Sequence, residues 1–266
     1  MTKISVVVPI YKKLEQFDQV LRHNLPLLKD AQIILVNDDP TTTFPRDFPQ
    51  SSTLPPSIVW INNQSNLGFA PTVNNGVRQA TGDLILLLNT DVTLLDQSWY
   101  QAVPHFAQDK SLFAISFAQR ENTGKIVGRN ELYFRRGLFH HRALPFEQNQ
   151  KNAKQELLST AWAEYGSANF RKSMWDTLNG LDERYAPFYW EDVDLSYRAK
   201  KKQWLVQFDP NILVKHNHES TTRSFYDQSD ITKIAFRNQV YFTKKFASVW
   251  QLIHFSLFDV KRKLLG

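Results

Sequence analysis

Short apolar runs separated by polar punctuation dominate the first part of the chain. Ile4-Ser5-Val6-Val7-Val8 reads as a strand ended by Pro9, and residues 13–28 place Leu14, Phe17, Leu21, Leu25 and Leu28 at helical spacing. Gln32 to Val36 is a second strand, ended by Asn37-Asp38-Asp39-Pro40. A loop rich in Thr, Ser and Pro runs to Ser57, and Ile58 to Ile61 is a third strand. Pro71 to Ala80 reads as a helix closed by Thr81-Gly82, and Leu84 to Leu88 as a fourth strand buried on both faces. Strands alternating with helices predict a parallel sheet covered on both sides, with right-handed crossovers bringing the strand ends to one edge. Pro9-Ile10-Tyr11, Asn37-Asp38-Asp39 and Asn89-Thr90-Asp91 all lie just beyond strand ends. Three such clusters on one edge read as a pocket rather than three unrelated turns.

The later pattern is less regular. Residues 119–160 have mixed polarity and read as hairpin and loop. Ala161 to Phe170 and Arg171 to Leu178 read as a strand and turn leading into a helix, stopped at Asn179-Gly180. Another helix begins near Glu191. Trp204 to Phe208 reads as a strand, followed by a loop carrying His216 and His218. The expected division is one α/β domain over 1–228, with halves at about 1–118 and 119–228, and a separate helical segment over 229–266.

Composition narrows the classes. The 266 residues are 42% hydrophobic and 22% charged, an ordinary globular balance. With no cysteine, disulfides, thiolate metal sites and thiol catalysis are excluded. No apolar run reaches the ~18 residues of a membrane span, and the first reads as a strand rather than a signal peptide, so a cytoplasmic protein is expected. The net charge of +6 is concentrated at the end: residues 233–266 hold seven Lys or Arg against Asp259 alone. That basic, aromatic tail fits a packed helix with its charges in water, a peripheral contact with an anionic membrane, or a homodimer contact. Nucleic acid is set aside, because no recognised motif accompanies the charge. Neither G-x-G-x-x-G nor a P-loop occurs.

Two acidic groups stand out, Asp91 after a strand and Glu191-Asp192 at a helix start. Acids there can simply cap a helix, but Phe188-Tyr189-Trp190 just before them would desolvate a carboxylate, raise its pKa and make it a stronger base. A histidine within reach of Asp91 would complete an N/O site for a divalent cation.

The stretches "ISVVVPIYKK", "IILVNDDP", "NLGFAPTVNNGVRQATGDLILLLNTDV", "GSANFRKSMWDTLNGLDERYAPFYWEDVDLSYRAKKKQWLVQFDP" and "VKHNHEST" resemble, in order, glycosyltransferase family 2, and in particular its rhamnosyltransferase-like members. The resemblance implies a GT-A fold: a single Rossmann-like α/β domain with a mostly parallel central sheet flanked by helices, here with a C-terminal helical tail. It implies a metal-dependent inverting enzyme that moves a sugar from a UDP- or dTDP-linked donor to a glycan or lipid-linked acceptor in cell-surface polysaccharide synthesis. The nucleotide-sugar half would be about 1–118 and the acceptor half about 119–228. By matched position, Pro9, Tyr11 and Asp38 would hold the nucleobase and ribose. Asn66, Gly68 and Asn74 would shape the donor pocket, and Asp83 would contact the nucleoside side. Asn89-Thr90-Asp91 takes the D-x-D position, with Asp91 and His216 toward Mn²⁺ or Mg²⁺ and His218 a neighbouring alternative. Asp192 matches the general base, supported by Glu191. A module of the same fold that binds nucleotide or carbohydrate without turnover is the alternative.

Overall fold

The computed structural model of the chain describes residues 2–28, 30–42, 58–145, 156–217 and 224–265. At its centre is β1 (Ile4–Ile10), whose alternation sets the layers: Ile4, Val6, Val8 and Ile10 face one side and Val7 the other. After β1 come α1 (Leu14–Asn24), β2 (Gln32–Asn37), β3 (Ile58–Asn62), α2 (Phe69–Arg78), β4 (Leu84–Leu88) and the short β5 (Val92–Leu94). β3, β2, β1 and β4 are consecutive parallel neighbours, with Val7 opposite Ile34 on one side and Leu87 on the other. β1 continues through Pro9 instead of ending there. Its pairing with β4 stops at Val7, so the missing proline N–H falls beyond that ladder. The helix expected from Pro71 starts two residues sooner, at Phe69. The Thr/Ser/Pro loop falls largely outside the described residues.

Past β5 the chain makes α3 (Val103–Gln108), β6 (Leu112–Arg120), β7 (Ile126–Val127) and a hairpin, β8 (Asn130–Arg135) and β9 (Leu138–Ala143). Then follow β10 (Leu158–Ser159), β11 (Ser167–Arg171), α4 (Lys172–Thr177), α5 (Glu191–Lys201) and β12 (Leu205–His216). β11 inserts antiparallel between β4 and β6, and β12 runs parallel to β6. The result is a mostly parallel central sheet flanked by helices. One face packs α1, Trp99 and Phe106, and the other packs α2, Trp175 and Leu195. β12 is far longer than the strand expected over 204–208. A bulge between Asp209 and Leu213 lets it resume pairing, so His216 ends a strand rather than sitting in a loop.

Two helices close the chain, α6 (Gln228–Phe246) and α7 (Val249–Leu265). α6 is packed into the body. Its Phe242 joins Phe139, Tyr185 and Trp190 in a third apolar cluster, and Lys245 Nζ donates to Asp194 at 2.5 Å and Asp182 at 2.7 Å. α7 leaves Val249, Trp250, Ile253 and Leu257 exposed. Among the described residues no helix is long and apolar enough to cross a membrane.

α2 lies so close to the sheet at Gly76, in its last turn, that a side chain there has no room. A Cβ on Gly76 would sit 2.6 Å from Val7 Cγ1 and 2.9 Å from Val36 Cγ2. Gly76→Val is therefore expected to cost about 1–3 kcal/mol through overpacking, read as a lower denaturation midpoint. An unchanged midpoint would show that the helix can back away from the sheet freely.

Candidate active site

The C-terminal ends of β1, β2 and β4 form the floor of one cleft of about 540 Å³. From the first half of the chain it is lined by Pro9, Tyr11, Asp38, Asn66, Gly68 and Asn89-Thr90-Asp91, and from the second by Glu164, Tyr165, Phe188, Glu191, Asp192 and His216. Asp91 and Asp192, a hundred residues apart in sequence, thus share a cavity.

Asp91 is placed by what holds β5. The Asn24 side chain donates to Val92 O and accepts from Leu94 N, both at 2.9 Å, while Val92 pairs with His216 across to β12. That pairing sets His216 Nε2 at 3.1 Å from Asp91 Oδ1, and its Nδ1 at 2.6 Å from Gln119 Oε1. A carbonyl oxygen can only accept, so Nδ1 carries a proton and Nε2 is turned toward the carboxylate. Beside them the Asn89 Oδ1 is buried with no hydrogen-bond partner. An orphaned amide oxygen, a carboxylate and an imidazole fit a small divalent cation, and the Gln119 contact is the outer-sphere brace such a histidine needs. Among the described residues no three His, Cys, Asp or Glu converge as a closed metal site, so the chain offers an open, partial set. His218 lies outside the described residues.

At the C-terminal end of β2, the triplet Asn37-Asp38-Asp39 divides its work. Asn37 donates to Asp39 O, Thr42 O and Asn62 Oδ1, and the Asp39 carboxylate accepts from Thr41 and Thr42, so both shape the turn. Asp38 alone faces the cleft. Its Oδ1 accepts from Leu67 N and Asn63 Nδ2, and its Oδ2 from Gly68 N at 2.8 Å. Asn66 Oδ1 also accepts from Gly68 N. Gly68 has φ +88°, and a Cβ there would lie 2.8 Å from Pro187 Cα. Tyr11, Phe188 and Tyr226 stand around this end as ring contacts, with Tyr226 5.0 Å from Phe188.

Two sequence-nominated residues are not brought to the cleft. Asp83 precedes β4 and so lies at the opposite edge of the sheet from Asn89, where it accepts from Lys3 N. Asn74 is buried on the far side of α2. It donates to Leu181 O and Glu183 Oε1 and accepts from Leu181 N, tying α2 to the segment that leads into the cleft.

That segment reaches α5 through Tyr189 (φ 75°) and Trp190 (φ 77°). Two successive bulky residues in the left-handed region cost about 1–3 kcal/mol each unless their surroundings enforce them. The turn sends Trp190 inward and opens α5 with Glu191 and Asp192. Burial pushes the Glu191 carboxyl well above the usual carboxylate range, with the Asp192 charge adding to the shift, and Glu191 Oε2 has no hydrogen-bond partner. Burial likewise raises the half-buried Asp192, helped by the Glu164 charge and opposed by the Val193 N–H donating to Asp192 Oδ1 at 2.8 Å. Raised carboxyls beside a cavity are poised to take up protons near neutrality.

Sequence reading missed several lining residues. Glu164, itself raised by burial, accepts from Asn130 Nδ2 at 2.8 Å. Trp162 and His141 stand edge to face at 5.2 Å, and burial lowers the His141 pKa. An acid enclosed by apolar residues in "AWAEYG" was the available signal for Glu164. Gln119 and His141 carry none, because a hairpin-and-loop pattern over 119–160 does not say which of its polar residues face a cavity.

The family model described as Glycosyl transferase family 2 matches residues 5–174. The poly-beta-1,6-N-acetyl-D-glucosamine synthase of Staphylococcus aureus (strain COL) is 24% identical over 131 residues, which is 47% of this chain and 31% of that protein. The chain thus spans about a third of the length of the curated relatives it matches. Among solved structures, GalNAc-T7 with UDP, GalNAc and Mn²⁺ superposes with a TM-score of 0.64 at 12% identity, over 82% of this chain and 44% of that one. The mannosyltransferase PcManGT from Pyrobaculum calidifontis, in complex with GDP-Man and Mn²⁺, gives 0.57 at 12% identity over 100% and 76%. S. aureus TarS 1–349 gives 0.57 at 14% identity over 81% and 60%. At these identities the likeness is one of fold.

A carboxyl raised in the folded chain contributes stability below its unfolded pKa and loses it as pH rises through the folded value. Glu191→Gln keeps the shape and removes the charge. It is expected to raise Tm over the wild-type chain at about pH 9 and to leave it unchanged near about pH 4. Calorimetry at both values checks this, and an equal offset at the two would mean Glu191 ionises without cost.

Proposed function

The chain belongs to glycosyl transferase family 2, and from that premise we propose that it is a metal-dependent, inverting glycosyltransferase acting on a nucleoside-diphosphate sugar. The observation that carries the reading is the convergence of Asp91 and Asp192 on one cleft. Asp38, Asn66, Gly68 and Tyr11 form the nucleoside end. Asn89, Asp91 and His216 would hold Mn²⁺ or Mg²⁺ near the diphosphate, and a cation there supplies charge neutralisation for the leaving group. Two structural relatives were solved with Mn²⁺ and a nucleotide or nucleotide sugar, which supports that choice.

The acceptor enters on the side walled by Trp162, His141 and Tyr189. Its hydroxyl gives up a proton to the Asp192 carboxylate as oxygen bonds to the anomeric carbon and the bond to the diphosphate breaks. One in-line displacement inverts that carbon. Glu191, buried behind Asp192 and raised by the same charge, is proposed to stay protonated, so that Asp192 carries the working charge. The acceptor class is a glycan or lipid-linked saccharide of a cell-surface polysaccharide, supported by the polysaccharide synthase among the relatives. The donor is UDP- or dTDP-linked, with a rhamnosyl or hexosyl group. The exposed Val249, Trp250, Ile253 and Leu257 on α7, followed in sequence by Lys261-Arg262-Lys263, support peripheral contact with an anionic membrane. A second copy on the same face would bring like charges together.

Incubation with UDP-glucose, UDP-galactose and dTDP-rhamnose plus Mn²⁺, with NMR of the product anomer, tests the reaction. Asp192→Asn is expected to lower turnover at least about 10²-fold. The wild-type rate should climb with pH toward neutrality, because the base works only above its raised pKa. A melting-temperature rise with nucleotide and no turnover would assign a binding module instead, and no response to any nucleotide would end the reading.

Flotation with anionic and with neutral vesicles tests the tail. Trp250→Glu is expected to abolish association with anionic vesicles and leave turnover of a soluble acceptor unchanged. Equal flotation by both chains would remove the membrane contact, and a concentration-dependent mass doubling would assign α7 to a dimer.

A further inference from the structure

The loop of residues 185–190 forms one wall of the cleft and determines where α5 begins. On the donor side it is gripped by α2: Phe69 N donates to Pro187 O at 2.8 Å, and Gly68 packs directly on Pro187. On the other side it meets α6, which lies outside the region matched by the family model.

The polar centre of that contact is Asn238. It is fully buried, and the two N–H groups of its Nδ2 are shared among three backbone carbonyls of the loop, Tyr185 O at 2.7 Å, Phe188 O at 2.9 Å and Tyr189 O at 2.9 Å. The amide cannot be turned round. Arg237 Nε, which can only donate, lies 3.0 Å from Asn238 Oδ1, so the oxygen must point there and the NH₂ toward the loop. Arg237 also reaches Ala186 O through its Nη2.

Tyr185 closes a short 3-10 turn, residues 186–190 lie in neither helix nor sheet, and through Tyr189 and Trp190 the loop takes a conformation that bulky residues avoid. An apolar side chain at 238 would take away the donor that these carbonyls share. A shift of the loop to find water would rotate the first turn of α5. α6 is independently fixed to the body, since Tyr241 Oη donates to Asp182 at 2.8 Å and Lys245 bridges Asp182 and Asp194. Asn238 therefore acts from a rigid support.

We propose that Asn238 is a positioning residue: by holding the backbone of residues 185–189 it fixes the left-handed turn that presents Glu191 and Asp192 to the cleft. What this does to rate rests on the reading of Asp192 as the proton acceptor; what it does to the loop does not. α6 thereby supports the site without touching substrate.

The test compares Asn238→Ala and Asn238→Asp with Tyr241→Phe, which removes a different hydrogen bond of the same helix. Asn238→Asp keeps the shape and turns a donor into an acceptor facing three carbonyls. Hydrogen exchange of the amides of residues 188–192 reads the loop without any substrate. It is expected to quicken at least about tenfold in both Asn238 variants and to stay unchanged in Tyr241→Phe. Kinetics use whichever of UDP-glucose, UDP-galactose and dTDP-rhamnose the wild-type chain turns over with Mn²⁺. In the Asn238 variants kcat should fall about 10²-fold with KM for the donor kept within about threefold. The acidic limb of the pH profile should move to lower pH, as a loosened loop admits water to Asp192. If Asn238→Ala does not fold, Asn238→Ser, which retains one donor, takes its place. Unchanged exchange at 188–192 would overturn the proposal, as would equal losses in all three variants. If no nucleotide sugar is turned over, the family-based reading fails while the exchange result still decides the role of Asn238.

Discussion

Carboxyl groups held away from water are the constraint around which the cleft is built. Glu164, Glu191 and Asp192 are all raised by burial, and among the described residues none of them accepts a hydrogen bond from a lysine or arginine. Their partners are weak by comparison: an asparagine amide for Glu164 and a helix-start N–H for Asp192. The basic side chains of the neighbourhood are directed elsewhere, Arg198 and Lys245 to the Asp194 carboxylate one turn into α5. Charge is thus balanced on the packed face of α5 and left unbalanced on its cleft end. Burying an acid without a cation is normally selected against, and it is tolerated where proton affinity is the purpose.

The two halves of the chain supply different kinds of wall. The first supplies strand ends and the start of α2, where backbone amides of Leu67 and Gly68 are locked by Asp38. The second supplies side chains on a loop bent into an unfavourable conformation, braced from both sides. Asn74 and Asn238 are structural counterparts in this respect. Each is a buried asparagine on a helix that satisfies the backbone of the 181–190 segment, one from α2 and one from α6.

Much of this was legible in the sequence because it rests on local periodicity. The parallel strands β1 to β4 alternate with helices whose apolar spacing is plain, and three polar clusters at their ends mark the cleft edge. The proximity of His216 to Asp91 is implied by the family resemblance and not by periodicity, since the histidine sits on a strand extended past a bulge that no apolar spacing announces. Asp83 was misplaced because motif matching ignores that a five-residue strand separates it from Asn89. Asn74 was misassigned because a buried polar residue on a helix can serve the backbone as well as a ligand. The hairpin within residues 119–160 is legible, but β6 is not, and neither is the turning of His141 toward the cleft and of Gln119 toward His216, since that pairing is long-range and only the folded chain encloses the cavity.

β11 has a consequence for how the molecule can move. Lying antiparallel between β4 and β6, it stitches the strands of the two halves of the chain into one uninterrupted ladder. Splaying those halves apart would sever that ladder. Any widening of the cleft that keeps the sheet whole therefore has to come from its rim, not from a hinge through the strands.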